Sequence, residues 1–153
     1  MYGLYNLFDR IRKEFIFSAE EVKGLFIAIV ILSFVIGFND GSETFVLKSW
    51  LLNYVNCVLI ITLAILARET AQRIAAINSG HKVEFRLWGP GVGIALALAV
   101  LSMGKIPLLV YGGFMISYLP RQRLGHFRYG LSFINMAHVA LWGNLANIIL
   151  ALF

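Results

Sequence analysis

The feature that most constrains this chain is an apolar run, Trp50–Ala67, of 18 residues without a charge. About 20 residues of apolar helix cross the hydrocarbon core of a bilayer, so the run is a candidate transmembrane helix. The helical pattern continues to Gly80, which predicts a second span with its extension over residues 50–79. Of the 153 residues, 59% are hydrophobic and 14% charged, whereas soluble domains carry about 25% charged residues. The chain is therefore predicted to be an integral membrane protein that contacts the lipid bilayer.

Two further spans are predicted on either side of this run. Ser18 and Glu21 have the spacing of a capping box, which predicts a helix start, and the first span follows over residues 22–38. The third span is predicted over residues 131–153. Residues 1–17 alternate apolar and charged side chains at helical spacing, which is typical of an amphipathic helix lying in the membrane interface.

Residues 81–119 lack the length of uninterrupted apolar sequence that a span needs. Within His81–Trp88, apolar and charged residues alternate with period two, which predicts a strand that ends at the glycines of residues 89–93. The apolar runs Ile94–Met103 and Leu108–Leu119 are too short to cross a bilayer. The predicted fold class is therefore membrane α-helical over a single domain, 1–153. It has about three transmembrane helices, an amphipathic N-terminal helix, and a small β-hairpin or re-entrant segment between spans 2 and 3.

The basic residues predict orientation and argue against one class of partner. The net charge is +5, but Lys and Arg are scattered between apolar runs instead of forming a basic stripe, so nucleic acid is not an expected partner. Arg10, Arg12 and Lys13 precede the first predicted span and Lys23 lies at its start. Lys48 alone lies between spans 1 and 2, and eight basic residues lie between the apolar run of span 2 and the start of span 3. The positive-inside rule then predicts a cytoplasmic-membrane protein whose N-terminus and central region are cytoplasmic.

The candidate chemistry lies at the end of the second span, where Arg68, Glu69, Gln72 and Arg73 follow the apolar run. Ionisable residues next to a membrane helix are functional candidates by default. The alternative is that the two arginines mark the lipid headgroup boundary.

Residues 66–88 resemble the archaeal branch of the site-2 protease family of intramembrane zinc metalloproteases. There a His-Glu-x-x-His helix precedes an Ala-Glu-Phe-Arg-x-Trp strand, which Glu84–Trp88 (Glu-Phe-Arg-Leu-Trp) matches. Tyr111–Ser117 resembles the family's glycine-containing sheet segment. Gly143–Asn147 (Gly-Asn-Leu-Ala-Asn) resembles its Gly-Pro-Leu-Ala-Asn motif, with Asn144 in place of proline.

The departures from the family concern the zinc ligands. Arg68 and Gln72 stand where the family has its two histidines, and only Glu69, the general-base position, remains. A guanidinium offers no lone pair to a metal, and a carboxamide is a poor zinc ligand. The Asn-Pro-Asp-Gly motif that supplies the family's aspartate ligand is not in this sequence. The resemblance thus implies a degenerate, truncated member with no catalytic residues, no zinc and no other cofactor. Arg68 or Arg73 is expected to neutralise Glu69, and Gln72 to form a hydrogen bond nearby.

The resemblance implies that the chain acts as a binding or structural subunit of a larger membrane complex. The family's sheet edge receives an extended segment by strand addition, and Gly112 and Gly113 with Glu84, Phe85, Arg86 and Trp88 correspond to that edge. Polar residues on the last span are expected to pack against membrane-protein partners or within the chain: Asn135, His138, Asn144 and Asn147. An interhelical hydrogen bond is the favoured role of His138. The alternative function is an intramembrane zinc metalloprotease, as a variant of, or completed by, a longer active enzyme.

Overall fold

The computed structural model describes residues 11–12, 14–39, 41, 45–118 and 133–152, without the side chains of residues 118 and 135. Over these residues the chain is mostly helical and carries one small sheet, which confirms the predicted class at that level. In chain order, the elements are α1 (Ala19–Gly37), α2 (Leu47–Asn78), β1 (His81–Leu87), α3 (Gly89–Leu101), β2 (Gly112–Tyr118) and α4 (Phe133–Leu152).

Helix α2 is the one described helix that is both long and apolar enough to cross a membrane. Only 11% of its most apolar window is buried, whereas the core helix of a soluble protein is mostly buried. Helix α1 has 19 residues, but its first turns carry Glu20, Glu21 and Lys23. The apolar helix Met136–Leu152 within α4 is shorter still. Three spans remain a prediction.

The N-terminal amphipathic helix predicted over residues 1–17 lies mainly outside the described residues. Of its described part, Ile11, Arg12 and Glu14 are helical, and the N–H of Phe15 donates to the carbonyl of Ile11 at 2.8 Å. Helix α1 begins at Ala19, which places Ser18 and Glu21 at the N-cap and N3 positions that the capping-box spacing predicts.

The chain forms two compact units. One comprises residues 1–18, 66–84 and 114–153, and the other comprises residues 19–65 and 85–113. The core of the first unit contains Ala75 and Ala76 of α2, Val83 of β1 and Val139 of α4. In the second unit, Val35 of α1 packs with two small residues of α3, Ala95 and Ala99.

The C-terminal end of α1 is held by side chains of α2. Trp50 Nε1 donates to the carbonyl of Phe38 at 3.3 Å, and Asn53 Nδ2 donates to the carbonyl of Gly37 at 3.3 Å. These bonds satisfy carbonyl groups that the end of a helix leaves without helical partners. Trp50 also stacks on Tyr54, with ring centroids 5.7 Å apart, so aromatic side chains gather at this end of α2.

The predicted strand is confirmed as β1, and a second strand, β2, pairs with it. The N–H of Trp88 donates to the carbonyl of Tyr111 at 3.0 Å, joining the end of β1 to the beginning of β2. The strands are therefore antiparallel, and their equal lengths place Leu87 opposite Gly112 and Val83 opposite Ile116. This register agrees with the packing of Ile116 on the core that contains Val83.

Between the strands, the glycine-rich segment after Trp88 does more than end β1. Helix α3 begins at Gly89, has Pro90 as its second residue, and runs to Leu101. Proline is favoured there because the first N–H groups of a helix have no helical acceptor. The 13 residues of α3 extend about 20 Å at 1.5 Å per residue, too short to cross a bilayer. A short helix packed on α1 thus occupies most of the run 94–103 that was predicted to be re-entrant.

Candidate functional site

The segment that holds Arg68, Glu69, Gln72 and Arg73 is continuous helix within α2. Three of these side chains are almost completely buried: Glu69 is 3% exposed, Gln72 1% and Arg73 2%. Arg68 is half-buried. The sequence marks this segment as polar, but the structure places it inside the first unit, where most of its polar atoms lie out of contact with solvent.

Arg73 is held by the short segment that precedes α1. Its Nη1 donates to the carbonyl of Ile16 at 2.9 Å. Its guanidinium carbon lies 3.9 Å from the centroid of the Phe17 ring and 5.9 Å from that of Phe15. A guanidinium over an aromatic face is stabilised by the ring quadrupole, most strongly when water is excluded. Arg73 therefore binds residues 15–17 to the C-terminal part of α2.

Gln72, at the position of the second family histidine, packs against a glycine of α4. A Cβ atom built on Gly143 would lie 2.5 Å from Gln72 Nε2 and 2.7 Å from its Cγ. Neither Nε2 nor Oε1 of Gln72 has a hydrogen-bond partner within the described residues. The hydrogen bond expected from Gln72 is thus not found there, and the side chain fills space between two helices instead.

The contacts of α4 define how it lies along α2 in the first unit. Val139 shares a core cluster with Ala76, and Gly143 meets Gln72 four residues earlier on α2. The two segments therefore run antiparallel. Asn147 follows Gly143 by one more turn on the same face of α4, and its Oδ1 atom is buried without a hydrogen-bond partner among the described residues. Within the motif-like segment, Gly143 and Asn147 thus share the face of α4 that meets α2 at Gln72.

Two other polar residues predicted on the last span, His138 and Asn144, are exposed on α4. His138 is exposed and accepts a hydrogen bond at its Nε2 from Trp142 Nε1 at 3.2 Å, four residues along the same helix. The bond lies within α4, so the interhelical role favoured for His138 is not what this part of the structure shows. Asn144 is exposed, and the side chain of Asn135 is outside the described set.

The residues of the predicted binding edge lie on opposite faces of the sheet, one buried and one exposed. Phe85 is buried, whereas Arg86, Trp88 and Gly113 are exposed. Glu84 is partly exposed and forms a salt bridge at 2.8 Å with its neighbour Lys82. The glycine at 112 is required by close packing, because a Cβ there would collide with the carbonyl oxygen of Arg86 and the ring of Phe85.

The residues at the predicted catalytic position do not fit a zinc ion. Arg68 brings a permanent positive charge and Gln72 a neutral amide that is packed on α4, so Glu69 alone offers an ordinary zinc donor. In the described ranges, no three side chains of His, Cys, Asp or Glu come together as potential metal ligands. His126, one alternative donor in the sequence, lies outside those ranges.

Comparison with known proteins assigns no family. No family model matches this chain, and no curated protein or solved structure matches it either.

Proposed function

We propose that this chain is a site-2-protease-like membrane protein that binds partner segments and does not hydrolyse them. In this proposal it serves as a binding or structural subunit of a larger membrane complex, without zinc or another cofactor. The observation that carries the proposal is the burial of Gln72 against Gly143. The position from which a hydrolytic enzyme of that family would hold its metal is filled by a side chain that packs two helices together.

The surroundings of Glu69 support the same conclusion. A carboxylate that activates water for hydrolysis must be reached by both water and substrate. Glu69 is 3% exposed, and the neighbouring Arg73 is covered by the rings of Phe15 and Phe17. A buried carboxylate with arginines beside it in the sequence is suited to holding helices in place.

The dimensions of α2 support a membrane location. From Trp50 to Arg68 the helix rises about 27 Å at 1.5 Å per residue, close to the roughly 30 Å of a bilayer's hydrocarbon core. Aromatic residues at one end and arginines at the other are typical of the two membrane boundaries. We propose that α1 and α4, of 19 and 20 residues, are the other two spans. In this proposal the N-terminus and the central region are cytoplasmic, which the distribution of Lys and Arg supports.

The sheet and α4 supply the surfaces for protein partners. Strand β2 has no charged residue and no proline, which are two of the devices by which natural sheets prevent strand addition at an edge. Its exposed residues include Met115, and α4 exposes His138 and Asn144 among apolar side chains. Extended membrane-protein segments at the sheet and transmembrane helices at α4 fit these surfaces.

A photo-crosslinking experiment in native membranes tests the proposal. A photoreactive phenylalanine analogue replaces Met115, next to the sheet edge, and a control analogue replaces Leu59, an exposed residue of α2. We expect a discrete protein adduct at position 115 and none at position 59. Because binding does not require hydrolysis, the adduct should have the same amount and mass in a Glu69→Ala background.

The opposite outcome would favour the rival function, an intramembrane zinc metalloprotease completed by another chain. In that case a shortened form of the crosslinked partner would accumulate with the wild-type chain, and Glu69→Ala would replace it by the full-length form.

A further inference from the structure

Helix α2 carries two asparagines within its apolar run, and they lie on different faces. Asn53 Nδ2 donates to the carbonyl of Gly37, so its carboxamide is held by the end of α1. Asn56 lies three residues later, about 60° around the helix, and it is exposed. Ile60, one turn further along the same face, is 66% exposed. The polar group of Asn56 is therefore directed away from the packed side of α2.

The position of Asn56 along α2 makes this exposure costly in a membrane. With Trp50 at the membrane boundary, Asn56 lies about 9 Å deeper at 1.5 Å per residue. The hydrocarbon core is about 30 Å thick, so this depth is more than halfway to its midplane. Lipid chains offer an amide no hydrogen bond, and a short carboxamide cannot reach the headgroups as a lysine side chain does. A partner for Asn56 is therefore expected from a neighbouring protein helix.

A second copy of this chain supplies that partner by symmetry. All copies enter the membrane in one orientation, because the same basic residues determine it, so their α2 helices run parallel and bring Asn56 to the same depth. A carboxamide has both donors and an acceptor, so two of them can bond to each other across a two-fold axis. A different protein would need a polar group at a matching depth, whereas a copy of this chain always has one.

We infer that two copies of this chain associate in the membrane through α2, with their Asn56 carboxamides hydrogen-bonded to each other at the symmetry axis. The inference rests on the proposed membrane location of α2 and names one partner in the proposed complex. A single asparagine in an otherwise apolar helix–helix seam fixes the register of the two helices. In this pair Ile60 lies on the contacting face, one turn after Asn56. Leu59 points about 100° away from Ile60, towards lipid.

Disulfide formation in native membranes tests this contact in the full chain. Cys57 is the single cysteine of the sequence, so a Cys57→Ser background carries either Ile60→Cys or Leu59→Cys. The two positions differ by about 1.5 Å in depth and about 100° in direction. With copper phenanthroline as oxidant, Ile60→Cys should form a homodimer roughly tenfold faster than Leu59→Cys, since a disulfide requires Cα atoms within about 7 Å. Mass spectrometry identifies the partner in each product.

The contribution of Asn56 is measured with the purified chain in vesicles of phosphatidylcholine and phosphatidylglycerol. The dimer fraction of Ile60→Cys at thiol–disulfide equilibrium is followed against the ratio of protein to lipid. Adding Asn56→Leu should weaken dimerisation roughly three- to thirtyfold, the range for one hydrogen bond between membrane helices. Asn56→Gln keeps a carboxamide and should recover part of the affinity. Val55→Leu is the matched control, because Val55 is an exposed neighbour that points about 100° away, and it should leave the dimer fraction unchanged.

Three results would overturn the inference. They are equal crosslinking of Ile60→Cys and Leu59→Cys, a disulfide from position 60 to a different protein, and unchanged dimerisation in Asn56→Leu. If any of these occurs while the adduct at position 115 persists, the proposed binding function stands and this pairing alone fails. If the reconstituted chain does not float with the vesicles, the membrane location fails and the inference fails with it.

Discussion

Gly143→Ala is expected to lower the free energy of unfolding by about 2 kcal/mol, because the new methyl group overpacks the contact between α4 and Gln72. A Cβ at this position would lie 2.7 Å from Gln72 Cγ, which is too close for a side-chain rotation about the terminal amide to relieve. The loss is expected even though alanine is favoured over glycine within helices by up to about 1 kcal/mol. Reversible unfolding of the purified protein in mixed detergent micelles measures the change.

Two further variants establish that the loss arises from this one contact. In the double variant Gly143→Ala, Gln72→Ala, the shortened side chain makes room for the methyl group. The loss of unfolding free energy in the double variant should therefore be smaller than the sum of the two single losses by about 1 kcal/mol or more. Gly93→Ala in α3 is the matched control, because nothing lies within 4 Å of a Cβ there. If Gly143→Ala were as harmless as Gly93→Ala, the packing role of Gln72 would be refuted.

Arg73→Ala should cost about 3 kcal/mol, combining a lost charge-assisted hydrogen bond with a lost cation–π contact in a buried setting. The substitution leaves the carbonyl of Ile16 without the guanidinium donor at 2.9 Å and uncovers the ring of Phe17. Arg73→Lys should recover only part of the loss, since an ammonium lacks the planar fork that bonds and stacks at once. The same unfolding measurement applies.

The control for Arg73 is Arg86→Ala, which removes an exposed arginine of β1. Exposed charges usually contribute little, so this change should stay within about 0.5 kcal/mol of the wild type. A second comparison uses Phe17→Leu, which should make the effect of Arg73→Ala smaller if the ring and the guanidinium interact. Equal losses in the Arg73 and Arg86 variants would contradict the anchoring role.

The elements that sequence reasoning found are those with strong local patterns. Helix α2 follows from an uncharged apolar run, and β1 follows from alternation between His81 and Trp88. Helix α3 was missed because three glycines in residues 89–93 have the lowest helix propensity of any residue except proline. Its apolar residues pack against α1, and this tertiary contact outweighs the local preference.

At the candidate site, sequence reasoning could predict chemistry but not contacts. The identities of Arg68 and Gln72 were sufficient to argue that zinc does not fit. The contacts that now explain the site join residues far apart in sequence: Arg73 reaches Ile16 across 57 positions, and Glu21 reaches Phe85 across 64. No local periodicity encodes such pairs. Gly143 within an apolar helix was the one available signal, since small residues mark close helix approach in membranes.

The metal content of the purified protein distinguishes a packing role of the segment around Gln72 from a zinc site. The protein is isolated without chelators, equilibrated with zinc, separated from free metal and measured by elemental mass spectrometry beside Glu69→Gln and Gln72→Ala variants. Because Arg68 and Gln72 offer no adequate ligands, we expect only substoichiometric zinc, equal in all three proteins. Stoichiometric zinc in the wild type that disappears in Glu69→Gln would contradict this expectation.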